Sequence, residues 1–387
     1  MIHHSFRPDR PGAATTGAAT DRRPIAEGRI YDLGIWSLAL GYALFYAPYS
    51  ALVKATSKGL LPGLSVPPSP LDMLPAIGFA TAAVTTLVVT SLGWWRYCGR
   101  TTVGTWRLPR PLRCTVVGGL ATAAIIYTTT LMFTFAGVSI VLALLIMRGG
   151  VLVLAPVVDL LFGRRVRWFA GTGLVLSLGA VAMNAIGPVG RELDWVLAVT
   201  AGTYLLGYVV RLRCANVLAK SHDREPSYRY FVEEQLVAMT TLVALPLLLA
   251  LMGDTTIAHH MRQGLSTFLV TAAVWPALGI GALYGLLYCC GTLIYLDRRE
   301  NTFCVTLNRC ASLLAGVLGS FALTALVGER PPGGYELLGA ALILVAILVL
   351  SPVHHALETL TAWRRGHRPL VAAPAAPAPL ERKGEWP

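Results

Sequence analysis

The chain has 387 residues, of which 55% are hydrophobic and only 13% charged. This balance excludes a soluble globular enzyme of this length and reads as a polytopic all-α membrane protein. The formal net charge of +12 would suggest nucleic acid in a soluble chain, but no stretch interleaves clustered bases with aromatics, so nucleic acid is not expected as a partner.

Residues 1–30 are rich in Arg, Pro, Ala and Thr and lack an apolar core, which predicts a disordered tail rather than a signal peptide or anchor. Residues 364–387, with their Ala-Pro repeats, have the same character. Between the tails, windows of roughly 20 apolar residues predict about ten membrane helices. They fall near 34–53, 73–95, 114–134, 138–162, 168–187, 194–212, 231–252, 267–296, 303–327 and 335–353. The eighth is long and contains Pro276, which predicts a tilt or a kink.

Basic residues sort by loop. With the N-terminus inside, 25 of the 32 Lys and Arg lie in inner segments, including Arg96–Arg113, Arg164–Arg167 and Arg211–Arg229. The outer loops hold Lys54, Lys58, Arg191, Arg262 and Arg330, and Arg148 and Arg309 lie inside spans. This bias predicts an inner (plasma) membrane protein with both termini cytoplasmic, so the positive charge is mainly a topology signal.

The last two spans of each half are alike. In 31–188, a helix with Arg148 ends at Phe162-Gly163-Arg164-Arg165 and is followed by a Gly-containing helix running to Pro188. In 189–353, a helix with Arg309 ends at Val327-Gly328-Glu329-Arg330 and is followed by Leu337–Ala346 and Pro352. Five spans per half is an odd number, so the second copy would be inverted relative to the first.

These motifs, Gly328-Glu329-Arg330 with Leu338-Gly339-Ala340-Ala341-Leu342-Ile343, their counterpart from Pro156 through Gly163, and the opening span Leu38–Lys54, resemble the drug/metabolite transporter superfamily with its paired EamA-like repeats. The resemblance covers about Tyr31 to Pro352 and implies ten helices in an inverted repeat, alternating access and a small-molecule substrate. Sugar-phosphate translocators of that superfamily use basic residues on the fourth and ninth helices. The resemblance therefore implies that Arg148 and Arg309 bind substrate.

Physical reading of the same residues supports a similar list. A planar guanidinium fork suits phosphate or carboxylate, and a charge near the centre of a span faces a bundle interior rather than lipid. The alternative is that each arginine pairs with a carboxylate, Asp159 or Glu234, or that Arg309 snorkels to the surface. Asn308 beside Arg309, Tyr127 in the third span, Tyr204 and Tyr208 in the sixth, and Tyr284 and Tyr288 in the eighth are candidates to line a cavity; each of the last two pairs shares a helix face. The Thr128-Thr129-Thr130 hydroxyls are expected mainly to bond back to the preceding turn. Glu233 and Glu234 could carry a coupling proton or simply favour a helix N-terminus. Lys54 reads as an outer-interface residue.

The seven cysteines form no CxxC pair and have no histidine at metal spacing, and no phosphate loop, HExxH or nucleophile elbow occurs. The expectation is a non-enzyme without cofactors. The leading reading is a secondary transporter of a small polar, anionic metabolite, phosphorylated or carboxylate-bearing. An exporter of amino acids or neutral metabolites and a non-transporting membrane receptor or scaffold stay open, as does a homodimer.

Overall fold

The computed structural model describes residues 34–152 apart from 65, 104, 105 and 136, then 154, 175, 176 and 179, followed by 195–218, 224–295 and 301–350. The predicted tails, the fifth predicted span at 168–187 apart from residues 175, 176 and 179, Asp159 and the motif from Pro156 through Gly163 lie outside the described residues.

The described chain is helical almost throughout. Helix α1 spans Gly34–Ser57, α2 Pro70–Ser91, α3 Arg113–Thr134, α4 Ile140–Leu144, α5 Trp195–Leu218, α6 Arg224–Ala250, α7 Thr256–Leu265, α8 Val274–Tyr295, α9 Asn301–Val327 and α10 Gly334–Leu350. Among the described residues, six segments are long and apolar enough to cross a membrane: Pro70–Ser91, Arg113–Thr134, Trp195–Ala215, Ser227–Ala250, Val274–Tyr295 and Leu307–Val327. Helix α1 has the length, but Tyr42, Tyr46 and Tyr49 make it less apolar, and all three are buried.

The eighth predicted span, 267–296, is a 3-10 turn at Thr267–Val270 followed by α8. Pro276 therefore sits in the first turn of α8, where its missing N–H would have had no helical partner and no kink is needed. The amphipathic α7 has too few apolar residues to register as a span; its N-cap is Thr255, whose hydroxyl accepts from Ala258 N–H at 3.1 Å.

Helix α8 packs between α1 and α2, α9 packs on α1, and α3 packs on α5 and α6. With no hydrophobic drive between helices in lipid, close approach must come from small residues. A Cβ on Gly319 of α9 would stand 2.7 Å from Ser50 Oγ and 2.8 Å from the Ala47 carbonyl of α1. Gly281 of α8 lies against Ile77, and its carbonyl accepts from Thr81 Oγ1 of α2 at 3.0 Å. Leu40, Leu44, Leu206, Leu248 and Leu318 face outward, whereas Arg148, Glu234, Asn308 and Arg309 face inward. That inside-out distribution fits lipid as the solvent.

A short antiparallel hairpin, β1 Arg100–Val103 and β2 Trp106–Pro109, joins α2 to α3, with Thr101 opposite Leu108. Glu233 of α6 anchors it. Its carboxylate accepts from Gly99 N–H at 3.2 Å, Leu112 N–H at 2.9 Å, Thr115 Oγ1 at 2.9 Å and Arg229 Nε at 2.7 Å.

Candidate functional site

The site begins with a departure from α-helical geometry. Ser139 caps α4 by accepting from Leu142 N–H at 3.0 Å, and the ladder then widens into a π-turn over Leu145–Gly149. Such turns are uncommon and often occur at functional positions; this one carries Arg148. Gly150, just beyond it, lets Leu205 of α5 approach to where a Cβ would be only 2.9 Å away. That contact brings the neighbouring Tyr204 to the arginine.

Arg148 is 2% exposed, and among the described residues its guanidinium donates only to hydroxyls. Its Nη1 donates to Tyr204 at 2.6 Å and to Tyr208 at 3.4 Å, while Nη2 donates to Tyr46 at 3.3 Å and Tyr42 at 3.4 Å. Tyr42 and Tyr46 share one face of α1, and Tyr204 and Tyr208 share one face of α5, by the i, i+4 spacing. Arg309, 1% exposed, approaches from α9: its Nη1 donates to Tyr204 at 3.3 Å and its guanidinium lies 4.3 Å from the centre of the Tyr208 ring. The Nε atoms of both arginines and Nη2 of Arg309 are buried without a hydrogen-bond partner.

Among the described residues no carboxylate forms an ion pair with either arginine. Glu234, one of the two partners anticipated from sequence, is taken by Arg211: Nε reaches Oε1 at 2.7 Å and Nη2 reaches Oε2 at 3.2 Å. Thr122 at 2.7 Å, Tyr230 at 3.2 Å and Tyr288 at 3.4 Å also donate to this carboxylate. Arg211, counted above with the inner loops, is thus inside the bundle. Arg309 does not snorkel, because burial on every side leaves its head no route to water.

Arg148, Arg211, Tyr42, Tyr208, Tyr288 and Asn308 border a cavity of about 30 Å³, room for roughly one water. Asn308 Oδ1 accepts from Tyr295 at 2.8 Å, and its Nδ2 has no partner. Tyr284 borders the same cavity, with its ring centre 5.0 Å from that of Tyr49. Tyr127 does not join this group; its hydroxyl donates to the Leu242 carbonyl of α6 at 2.6 Å. Thr128 and Thr129 bond back to Ala124 and Ile125 carbonyls at 2.6 Å each, and Thr130 also meets Tyr49 at 3.0 Å. Tyr42, Tyr46, Tyr295 and Arg211 were not singled out from sequence, although the i, i+4 spacing of Tyr42 and Tyr46 matches that of the tyrosine pairs that were.

A larger cavity, about 490 Å³, opens at the N-terminal end of α4 between Lys54, Lys58, Leu142, Ser320, Glu329 and Tyr335. Leu142 precedes Arg148 by six residues, about 9 Å along a helix. Lys54, in the last turn of α1, is 3% exposed, and its Nζ donates to the Phe135 and Val138 carbonyls at 2.6 and 2.5 Å. These carbonyls lie in the turn between α3 and α4, where the Phe135 carbonyl also accepts from Val138 N–H at 3.2 Å, so Lys54 ties this turn to α1. Lys58 Nζ bridges to Glu329 Oε1 at 2.6 Å across the cavity.

The six apolar spans and the inward-facing charges define a multi-pass α-helical membrane protein. No family model and no curated protein matches the chain. One solved crystal structure aligns over 83% of this chain and 97% of its own length, with 15% identity and a TM-score of 0.49; a likeness at that level carries no argument about function.

Proposed function

We propose that the chain is a secondary transporter of a small anionic metabolite, phosphorylated or carboxylate-bearing, working by alternating access. One observation carries this reading: two buried arginines share the Tyr204 hydroxyl with no carboxylate paired to either among the described residues. Two bonds to one oxygen hold the donor nitrogens within about 6 Å of each other. Like charges that close repel by about 3 kcal/mol at an effective dielectric near 20. A bound anion relieves the repulsion and supplies acceptors for the unpartnered Nε and Nη2 atoms.

In this reading the 490 Å³ cavity beyond Leu142 is the entry vestibule, and the cavity of about 30 Å³ at the arginines is the closed form of the binding chamber. A metabolite needs more room than one water, so binding requires the helices around the tyrosines to separate. The proposed frame is ten helices in two inverted five-helix repeats, 31–188 and 189–353, of the drug/metabolite transporter kind, in the inner (plasma) membrane with both termini cytoplasmic. No enzymatic step, cofactor or nucleic acid enters the reading.

The hydroxyl cage around Arg148 favours a second reading, in which the arginines are structural and the cargo is an amino acid or a neutral metabolite. Uptake into proteoliposomes of phosphorylated sugars, nucleotide sugars, dicarboxylates, amino acids and neutral sugars separates the two. The anion reading expects uptake of an anion that Arg148→Gln and Arg309→Gln each abolish at matched reconstitution. Equal anion flux by wild type and both variants overturns it.

A further inference from the structure

At the end of the bundle opposite Lys58 and Glu329, Gly99, Leu112, Arg100, Arg110, Arg113 and Arg229 line a cavity of about 490 Å³. Its charge is one-sided. Among the described residues no carboxylate lines it, and the nearby Glu233 is saturated by Arg229, Thr115 and two backbone N–H groups. Arg100, Arg110 and Arg113 are exposed, and among the described residues none of them forms an ion pair. Arg100 makes one long bond, from Nη2 to the Trp95 carbonyl at 3.4 Å.

The depth of this cavity is fixed by the helices that frame it. Arg113 is the first residue of a membrane-spanning segment, and α2 ends at Ser91. Trp94, Trp95 and Tyr97 follow α2 directly, with Tyr97 stacked on Tyr228 at 4.9 Å. Tryptophan and tyrosine collect at the level of lipid headgroups. Below the arginines the surface turns apolar: Val117 and Leu120 are about half exposed, and with Arg113 they follow the i, i+4, i+7 spacing that places all three on one face of α3. Leu112, at the cavity rim, is also exposed.

We propose that this cavity is a binding site for an anionic phospholipid, with the phosphate held by Arg100, Arg110 and Arg113 and an acyl chain lying along Val117 and Leu120. The guanidinium cluster alone would accept any phosphate. The apolar face continuing from it into the membrane favours the lipid over a free anion, because only a lipid fills both parts at once. Arg229 keeps its place by its bond to Glu233 and adds charge to the wall without being free to reorient.

The test uses the full-length protein in detergent, with lipid binding read by native mass spectrometry against phosphatidylglycerol, phosphatidylcholine and inorganic phosphate. Wild type is expected to retain phosphatidylglycerol in preference to phosphatidylcholine, and millimolar phosphate is expected not to displace it. Replacing all three of Arg100, Arg110 and Arg113 by Gln should lower phosphatidylglycerol affinity about a hundredfold, and Arg113→Gln alone about fivefold. Val117→Ser with Leu120→Ser should weaken the lipid while leaving phosphate unaffected. Equal retention of the two lipids by wild type overturns the proposal without any variant having to fold. Displacement by phosphate shows a soluble-anion site instead, and undiminished binding by the arginine variants puts the lipid elsewhere.

Discussion

Arg148 and Arg309 donate to the same oxygen, the Tyr204 hydroxyl, at 2.6 and 3.3 Å, although one comes from the π-turn that follows α4 and the other from α9. Tyr204 therefore sets the distance between two buried cations. Helix α5, which carries it, also carries Tyr208 beside both guanidinium groups and Arg211 beside the small cavity. Three separate polar contacts of the core thus depend on the rotation of one helix.

Tyr204→Phe removes the shared acceptor and leaves the aromatic packing in place. Losing a hydrogen bond to a charged donor costs about 1.5–3 kcal/mol. Thermal unfolding in detergent should show a lower midpoint than wild type, and anion uptake should show a raised KM. A midpoint at the wild-type value would mean that the hydroxyl does not hold the arginines.

The Arg211–Glu234 pair behaves differently, because both charges are matched. Glu234→Gln or Arg211→Met alone leaves one buried charge without its partner and should destabilise by about 3–5 kcal/mol. Replacing the two together by Met and Leu should recover most of that loss, as measured by unfolding midpoints across the double-mutant cycle. Additive losses in the double variant would argue against a direct pair.

Glu233→Gln should loosen the hairpin rather than the bundle. Its carboxylate accepts from two backbone N–H groups outside any ladder, and a neutral amide keeps only one oxygen for them. Hydrogen exchange should rise several-fold over residues 99–112, with the centres of α8 and α9 unchanged. Uniform exchange across the chain would contradict a local anchor.

Gly319→Val places a branched side chain against Ala47 and Ser50, where even a Cβ is too close. Overpacking of this kind costs about 1–3 kcal/mol. A lowered unfolding midpoint and a reduced folded yield on size-exclusion chromatography are expected. Ser50→Ala, which removes the nearest oxygen, should restore part of the loss.

Lys58 and Glu329 are partly exposed, so their bridge should add less than about 1 kcal/mol to stability. Its consequence is mechanical if the vestibule opens. Lys58→Cys with Glu329→Cys, joined by a short thiol-reactive linker, should stop flux in proteoliposomes, and a cleavable linker should restore it on reduction. Undiminished flux in the fully linked protein would show that this end of the bundle does not move.

Helix positions were largely legible in the sequence. The predicted spans at 114–134 and 303–327 correspond to α3 at Arg113–Thr134 and α9 at Asn301–Val327, because hydropathy is a property of a segment and lipid demands it locally. The inward direction of Arg148 and Arg309 was legible for the same reason: charge in mid-span has nowhere else to go. The break at Val274 was not, since the apolar composition of 267–296 runs through the turn without a charge to mark it.

Partnership was decided by the tertiary structure. Glu234 could have neutralised Arg148 or Arg211 as far as composition shows; the packing of α5 against α3 and α6 gives it to Arg211 and leaves Arg148 to four tyrosines. The choice depends on the rotational phase and depth of helices distant in sequence, and a one-dimensional hydropathy pattern carries neither. The sequence by itself determined that two cations would be buried in a membrane bundle. Only the assembled helices determined that they would meet at one hydroxyl, where the low dielectric makes a missing negative charge most costly.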